Sequence, residues 1–86
     1  MAELGEELRR ERVRRNLTFK DVEQVLHIKT TYLEAIEDGK NDIIPGQVYV
    51  KGFIRNYGIY LDLDGDRLVI AFLSQVGDIV TFSLRS

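Results

Sequence analysis

The sequence predicts an all-α domain: a five-helix bundle that contains a helix-turn-helix, followed by a short extended tail. Apolar residues recur at three- and four-residue spacing in five segments, which is the pattern of helices that bury one face. Short connections that contain Asn, Thr, Gly or Pro separate these segments. Only the end of the chain alternates β-prone and polar residues. We therefore assign residues 1–76 to the helical domain and residues 77–86 to an extended tail or the start of a linker.

The size and composition are those of a single small globular domain. The chain has 86 residues, of which 44% are hydrophobic and 30% charged. It contains no cysteine, which excludes disulfides and thiolate metal sites, and one histidine without clustered partners gives no reason to expect a metal. No apolar run approaches the roughly 18 residues that a membrane span needs.

The first helix is predicted from Ala2 to Arg15. Leu4, Leu8 and, less regularly, Val13 form its apolar side. Acidic residues come first and basic residues last, which suits the helix macrodipole. The arginines of this segment are predicted to form a solvated face that is paired with the glutamates of the same helix. Asn16 and Thr18 follow as a left-handed terminator and as the N-cap of the next helix.

The second and third helices have the lengths and spacing of a helix-turn-helix. Asp21 stands three residues after the N-cap, in a variant of the capping box. The second helix is predicted to bury Phe19, Val22, Val25 and Leu26.

The third helix is predicted from Thr30 to Asp38, with Gly39 closing it. Leu33 and Ile36 point inward, and Tyr32 lies beside them.

Two further helices follow a loop that is unusually apolar. Ile43 and Ile44 lie in this loop and are predicted to cover the core. Pro45 suits the entry to the fourth helix. Asp64 is a plausible N-cap for the fifth helix, which is predicted from Gly65 to Gln75.

The fourth helix holds half of the aromatic residues of the chain. Tyr49, Phe53 and Tyr57 recur every four residues and form one drifting stripe, and Tyr60 follows. Aromatic residues at this spacing most often belong to a core. The direction of Val50, Ile54 and Leu61 defines the core side of this helix, however, and Phe53 and Tyr57 lie at its edge. Either could be half exposed, and an exposed aromatic pair with a cationic rim has the composition of an interface hot spot.

A helix-turn-helix also suggests DNA binding, and that alternative stays open. Base readout would fall to the exposed residues early in the third helix, Lys29, Thr30 and Thr31. The acidic residues Glu34 and Asp38 follow them, and the formal net charge of the chain is −2, both unfavourable for binding phosphates. Nucleic acid is therefore a possible partner that the sequence does not favour.

The stretch from Leu17 to Gly39 resembles the phage-repressor-like helix-turn-helix class. In that class, a pair of charged residues joins the first helix to the end of the third. Arg12 and Glu37 stand at the positions of that pair. His27 stands where members of the class often have glycine, at a position that requires positive φ.

A resemblance to a more specific family extends beyond Gly39, in the segment IPGQVYVKGFIRNY. With LGE near the start and YLEAIE in the middle, this stretch is similar to the N-terminal cytoplasmic domain of the RodZ family of bacterial cell-shape proteins. The resemblance covers about residues 3 to 73, and the tail lies beyond it.

The resemblance implies an adaptor that is not an enzyme and needs no cofactor. Its implied partner is the actin-like cytoskeletal protein MreB, and its implied location is the cytoplasmic face of the bacterial inner membrane. The membrane is reached only through a segment that this chain lacks, and the domain itself is expected to be a soluble monomer. Carried over by position, the implied partner-binding residues are Phe53 and Tyr57, with Tyr49, Lys51 and Arg55 as neighbours.

Overall fold

A computed structural model describes residues 2–76 of the chain, and within this range it contains helices and no strand. The helices are α1 (Ala2–Arg14), α2 (Phe19–Leu26), α3 (Thr30–Asp38), a short 3-10 helix (Asn41–Ile43), α4 (Gln47–Tyr60) and α5 (Gly65–Val76). The predicted all-α fold is confirmed, and α2, the turn after it and α3 form the predicted helix-turn-helix. The predicted extended tail, residues 77–86, lies outside the described residues.

The predicted helix ends are formed by local hydrogen bonds and by left-handed residues. The hydroxyl of Thr18 accepts from the Asp21 amide at 3.1 Å, and the Asp21 carboxylate accepts from the Thr18 amide at 2.9 Å, which completes a capping box. Asn16 and His27 both have φ of 58°, and Gly39 has φ of 74°. These three positions reverse the chain sharply, so the helices before and after them can pack on one core.

Helix α4 begins slightly later than predicted. Gly46, with φ of 91°, is its N-cap, and Pro45 lies one residue before that cap. The start of α5 is as predicted, because the Asp64 carboxylate accepts a hydrogen bond from the Arg67 amide at 3.1 Å.

The core is shared by all five helices and the loop before α4. Its buried apolar side chains are Leu4, Leu8, Val22, Ile28, Leu33, Ile36, Ile44, Val50, Ile54, Tyr57, Leu61, Leu68 and Phe72. The predicted core positions of α4, which are Val50, Ile54 and Leu61, are thereby confirmed.

Three apolar residues predicted to face the core are exposed instead. Val13 is 55% exposed, Val25 54% and Ile43 49%. Val25 lies about 60° round α2 from the fully buried Val22, and Phe19 and Leu26 lie on the other side of Val22. The buried face of this helix of eight residues therefore does not include Val25. Val13 is about 140° from Leu8 on α1 for the same reason. Of the two loop isoleucines, Ile44 is buried in the core and its neighbour Ile43 is not.

Two helix contacts are so close that only glycine fits. A Cβ atom on Gly5 of α1 would lie 2.2 Å from the carbonyl oxygen of Glu37 on α3. A Cβ atom on Gly65 of α5 would lie 2.7 Å from the carbonyl oxygen of Arg55 on α4. The first contact brings α1 onto the end of the helix-turn-helix, and the second fixes the α4–α5 corner.

Candidate functional site: an aromatic groove beside helix α4

The structure corrects one of the two principal partner-binding predictions. Tyr57 has an exposed fraction of 0%, so its side chain is part of the core and no partner can contact it in this fold. Phe53 is half-buried, and Tyr49, which was predicted as a neighbour, is 60% exposed. Tyr60 is half-buried as well. The accessible part of the aromatic stripe is therefore its N-terminal end, because the stripe drifts towards the core along the helix.

Tyr57 is buried because its hydroxyl has a polar partner inside the core. It donates a hydrogen bond to Oε2 of Glu37, a carboxylate whose side chain is 2% exposed. The same carboxylate accepts from Arg12, through Nε at 2.7 Å and Nη2 at 3.1 Å. The predicted Arg12–Glu37 pair is confirmed, and Tyr57 is its third member.

The charges of this buried cluster are well compensated. Nη1 of Arg12 donates to the carbonyl oxygen of Leu17 at 2.8 Å, and the Arg12 guanidinium lies 4.1 Å from the centre of the Phe19 ring. Hydrogen bonding to Glu37 raises the pKa of Arg12. Burial, followed by the contact with Glu37, raises the pKa of Tyr57 far above its ordinary value of 10.0. Both groups therefore keep one protonation state across the neutral range, and the cluster ties α1, α3 and α4 together.

An open aromatic groove lies on the surface between α3, the loop before α4 and the N-terminal half of α4. Its walls are Tyr32, Ile44, Pro45, Tyr49 and Phe53, and its volume is about 290 Å³. The rings of Tyr32 and Phe53 stack with centroids 5.9 Å apart and an interplanar angle of 21°. The Tyr49 ring lies 6.3 Å from the Phe53 ring, tilted by 33°. We call these five residues the aromatic groove.

Three wall residues, Tyr32, Ile44 and Pro45, are not among the site residues predicted from the sequence, and Tyr32 is the aromatic one. The periodicity of α3 places Tyr32 beside the inward residues Leu33 and Ile36, which predicts partial burial but names no neighbour. Its stacking on Phe53 joins α3 to α4 and is a contact between residues 21 positions apart. No local signal in the sequence reports such a contact.

The predicted cationic neighbours have different surroundings. Lys51 is half-buried on α4. Arg55 is exposed, and its Nε donates to the Asp66 carboxylate at 2.9 Å, so its charge is partly balanced within the domain. Lys29, from the start of α3, places its ammonium 5.7 Å from the centre of the Tyr32 ring and thus adds a positive charge at the edge of the aromatic groove.

The residues of the DNA-binding alternative lie at the same end of α3. Lys29 and Thr31 are exposed, and Thr30 is half-buried. Glu34 and Asp38 are exposed further along the helix. A phosphate backbone along α3 would therefore meet carboxylates after the first turn.

Between residues 2 and 76, no group of three or more His, Cys, Asp or Glu side chains is arranged to hold a metal ion. Nor does any helix in that range have the length and apolar content to cross a membrane.

Comparison with known proteins gives a family and one distant relative. Residues 7–68 match the family model described as "Helix-turn-helix domain". The chain is 40% identical over 52 residues to the Bacillus subtilis (strain 168) protein described as "Uncharacterized membrane protein YmfM". That match covers 60% of this chain and 18% of the Bacillus protein, so the chain corresponds to less than a fifth of its relative. No solved structure matches the chain.

Proposed function

The chain belongs to the helix-turn-helix domain family, and we propose that it is a protein-binding adaptor rather than an enzyme or a transcriptional regulator. The observation that carries this proposal is the aromatic groove, where Tyr49 is 60% exposed beside the stacked rings of Phe53 and Tyr32. The partner we propose is the actin-like filament protein MreB, from the resemblance of residues 3 to 73 to the cytoplasmic domain of the RodZ family.

The physical case rests on the kind of surface that the aromatic groove presents. Aromatic side chains contribute large contact areas at low entropic cost, which is why they dominate interface hot spots. Two of the three rings are held by stacking before any partner arrives, so binding loses little side-chain entropy. Lys29, whose ammonium lies 5.7 Å from the centre of the Tyr32 ring, would attract an acidic partner to the aromatic groove. Lys51 lies about 160° round α4 from Tyr49 and Phe53 and adds a positive charge on another side of the helix.

The proposed role includes a link to the membrane. The relative whose sequence matches over 52 residues is described as a membrane protein, and most of its length lies outside the match. We propose that this domain works at the cytoplasmic face of the bacterial inner membrane. In this role the domain acts as a monomer and joins a filament to a membrane-anchored protein in cell-shape maintenance.

The direct test is co-sedimentation of the domain with MreB filaments. Tyr49→Ala and Phe53→Ala should each weaken binding by about 1–3 kcal/mol, the range of a moderate hot spot. Ile70→Ala on α5 is the matched control, because Ile70 is 54% exposed and does not line the aromatic groove. Wild-type affinity in a folded Tyr49→Ala/Phe53→Ala double variant would exclude the aromatic groove as the binding site.

The rival function is DNA binding through Lys29, Thr30 and Thr31, which the helix-turn-helix itself favours. It predicts binding to a duplex that depends on its sequence and weakens steeply with salt. Fluorescence anisotropy with random and operator-like duplexes measures both properties. A sequence-dependent signal that Lys29→Ala abolishes, together with no filament co-sedimentation, would reverse the proposal.

A further inference from the structure

Gly52 differs from the other helical glycines in having no packing role within the domain. Added Cβ atoms on Gly5, Gly58 and Gly65 would lie 2.2, 2.5 and 2.7 Å from atoms of neighbouring helices. A Cβ atom on Gly52 would meet nothing within 4 Å. The residue is exposed, and its φ is not positive, so neither space nor backbone conformation requires glycine there.

This position is one where glycine is unfavourable. Gly52 is the sixth of the fourteen residues of α4, well inside the helix. Glycine in a helix interior loses more backbone entropy on folding than alanine does and lowers helix stability. Nothing in the packing of the described residues offsets this loss.

The side of α4 that carries Gly52 is also unusually apolar. Val48, 74% exposed, and Ile59, 52% exposed, lie within about 40° of Gly52 around the helix axis. The distance along the axis from Val48 to Ile59 is about 16 Å, or three turns. We call Val48, Gly52, Asn56 and Ile59 the outer face of α4. It runs beside Tyr49 and so continues the surface of the aromatic groove.

We infer that Gly52 is the point at which a helix of the protein partner crosses α4 at close range, with Val48 and Ile59 packed on either side of the crossing. This inference rests on the proposed adaptor function and extends the binding surface from the aromatic groove to the outer face of α4. Interhelical distances depend on the side chains at the crossing, and a glycine permits the shortest ones. The partner helix would present small or apolar residues to Gly52.

Charge favours a different protein over a second copy of this chain as the occupant. In a symmetric crossing centred on Gly52, each residue near the axis would meet its own copy. Lys51 and Arg55, which flank the outer face, would then approach the same cations of the second molecule, and like charges at an interface oppose association. A partner helix with carboxylates beside its apolar ridge has no such conflict. The outer face itself carries apolar and amide groups, which suit an apolar helix of a protein better than the phosphates of nucleic acid or lipid.

The test separates stability from binding in the whole domain. Gly52→Ala should raise the thermal midpoint by about 3–6 °C, because alanine is the better helix former. The same variant should weaken MreB co-sedimentation about tenfold, and Gly52→Leu should weaken it further, because each added side chain holds the partner helix away. Ser74→Ala, at an exposed position of α5, is the control that should leave binding unchanged.

The outcomes distinguish this inference from the proposal on which it rests. If Gly52→Ala and Gly52→Leu bind like wild type while Tyr49→Ala does not, the crossing at Gly52 is wrong and the adaptor function stands. If the wild-type domain does not bind filaments, both are wrong. Sedimentation equilibrium adds one check on self-association. If the wild-type domain is a dimer and Gly52→Leu dissociates it, the outer face of α4 binds a second copy of the chain, and the inference is overturned.

Discussion

The hydroxyl of Tyr57 donates its hydrogen bond to the same carboxylate oxygen of Glu37 that accepts from Nε of Arg12. One buried carboxylate thus receives bonds from α1 and α4 while belonging to α3. This shared acceptor joins α4 to α3, the two helices whose Phe53 and Tyr32 rings stack on each other. Tyr57, which the aromatic stripe predicted as a partner contact, is therefore a core residue that supports the aromatic groove.

Replacing Tyr57 by phenylalanine should destabilise the domain without creating a cavity. The variant loses the hydrogen bond to a charged acceptor, and we expect the free energy of unfolding to fall by about 1.5–3 kcal/mol. Urea unfolding followed by circular dichroism measures the change. Tyr49→Phe, at a 60% exposed position, is the matched control and should leave the midpoint unchanged. Equal midpoints for wild type and Tyr57→Phe would show that the bond contributes nothing net.

Tyr57 should also make the domain sensitive to alkali. Its pKa is raised in the folded state, by burial and by Glu37, above the ordinary value of 10.0. The stability that it contributes is therefore fully present below pH 10.0 and is lost as the pH rises above that value towards the folded pKa. Thermal midpoints from pH 8 to pH 11 should fall less steeply in Tyr57→Phe than in wild type. Parallel curves would contradict this assignment.

Arg12 and Arg14 should differ greatly in their effect on stability, although both pair with a glutamate. Removing Arg12 leaves the Glu37 carboxylate buried, with Tyr57 as its one remaining side-chain partner among the described residues, and breaking a buried pair costs about 3–5 kcal/mol. Arg14 pairs with Glu11 at the surface, where its side chain is 62% exposed and solvent replaces the lost contact. Arg12→Ala should therefore lower the urea midpoint strongly and Arg14→Ala hardly at all. Similar losses in the two variants would mean that burial of the Arg12 pair has no energetic consequence.

Gly5→Ala should destabilise the domain by about 1–3 kcal/mol, the usual cost of overpacking. The added methyl group would lie 2.2 Å from a backbone oxygen of Glu37, which cannot rotate away as a side chain can, so α1 must move off α3. Differential scanning calorimetry of Gly5→Ala and Gly52→Ala compares the same added methyl group at a packed position and at an exposed position. We expect midpoint shifts of opposite sign, and an unchanged midpoint for Gly5→Ala would disprove the close α1–α3 contact.

Much of the fold could be predicted because its signals are local. The capping box of Thr18 and Asp21, the left-handed residues Asn16 and His27, and the apolar periodicity each involve residues within one or two helical turns. Hydrogen bonds and φ angles at this range depend little on the rest of the chain. The core side of α4 was predictable for the same reason, since Val50, Ile54 and Leu61 share one direction.

The sequence by itself determined the helices, their ends and the core direction of α4, because these follow from short-range hydrogen bonding and from the 3.6-residue period. The tertiary structure decided which aromatic residues are accessible. Tyr57 and Tyr49 occupy the same stripe, yet one is 0% and the other 60% exposed. The drift of the stripe turns Tyr57 towards the core and Tyr49 away from it, and the helical period encodes that much. The hydrogen bond from Tyr57 to Glu37 and the stacking of Phe53 on Tyr32 are contacts with α3, and these long-range contacts are not encoded by any helical period.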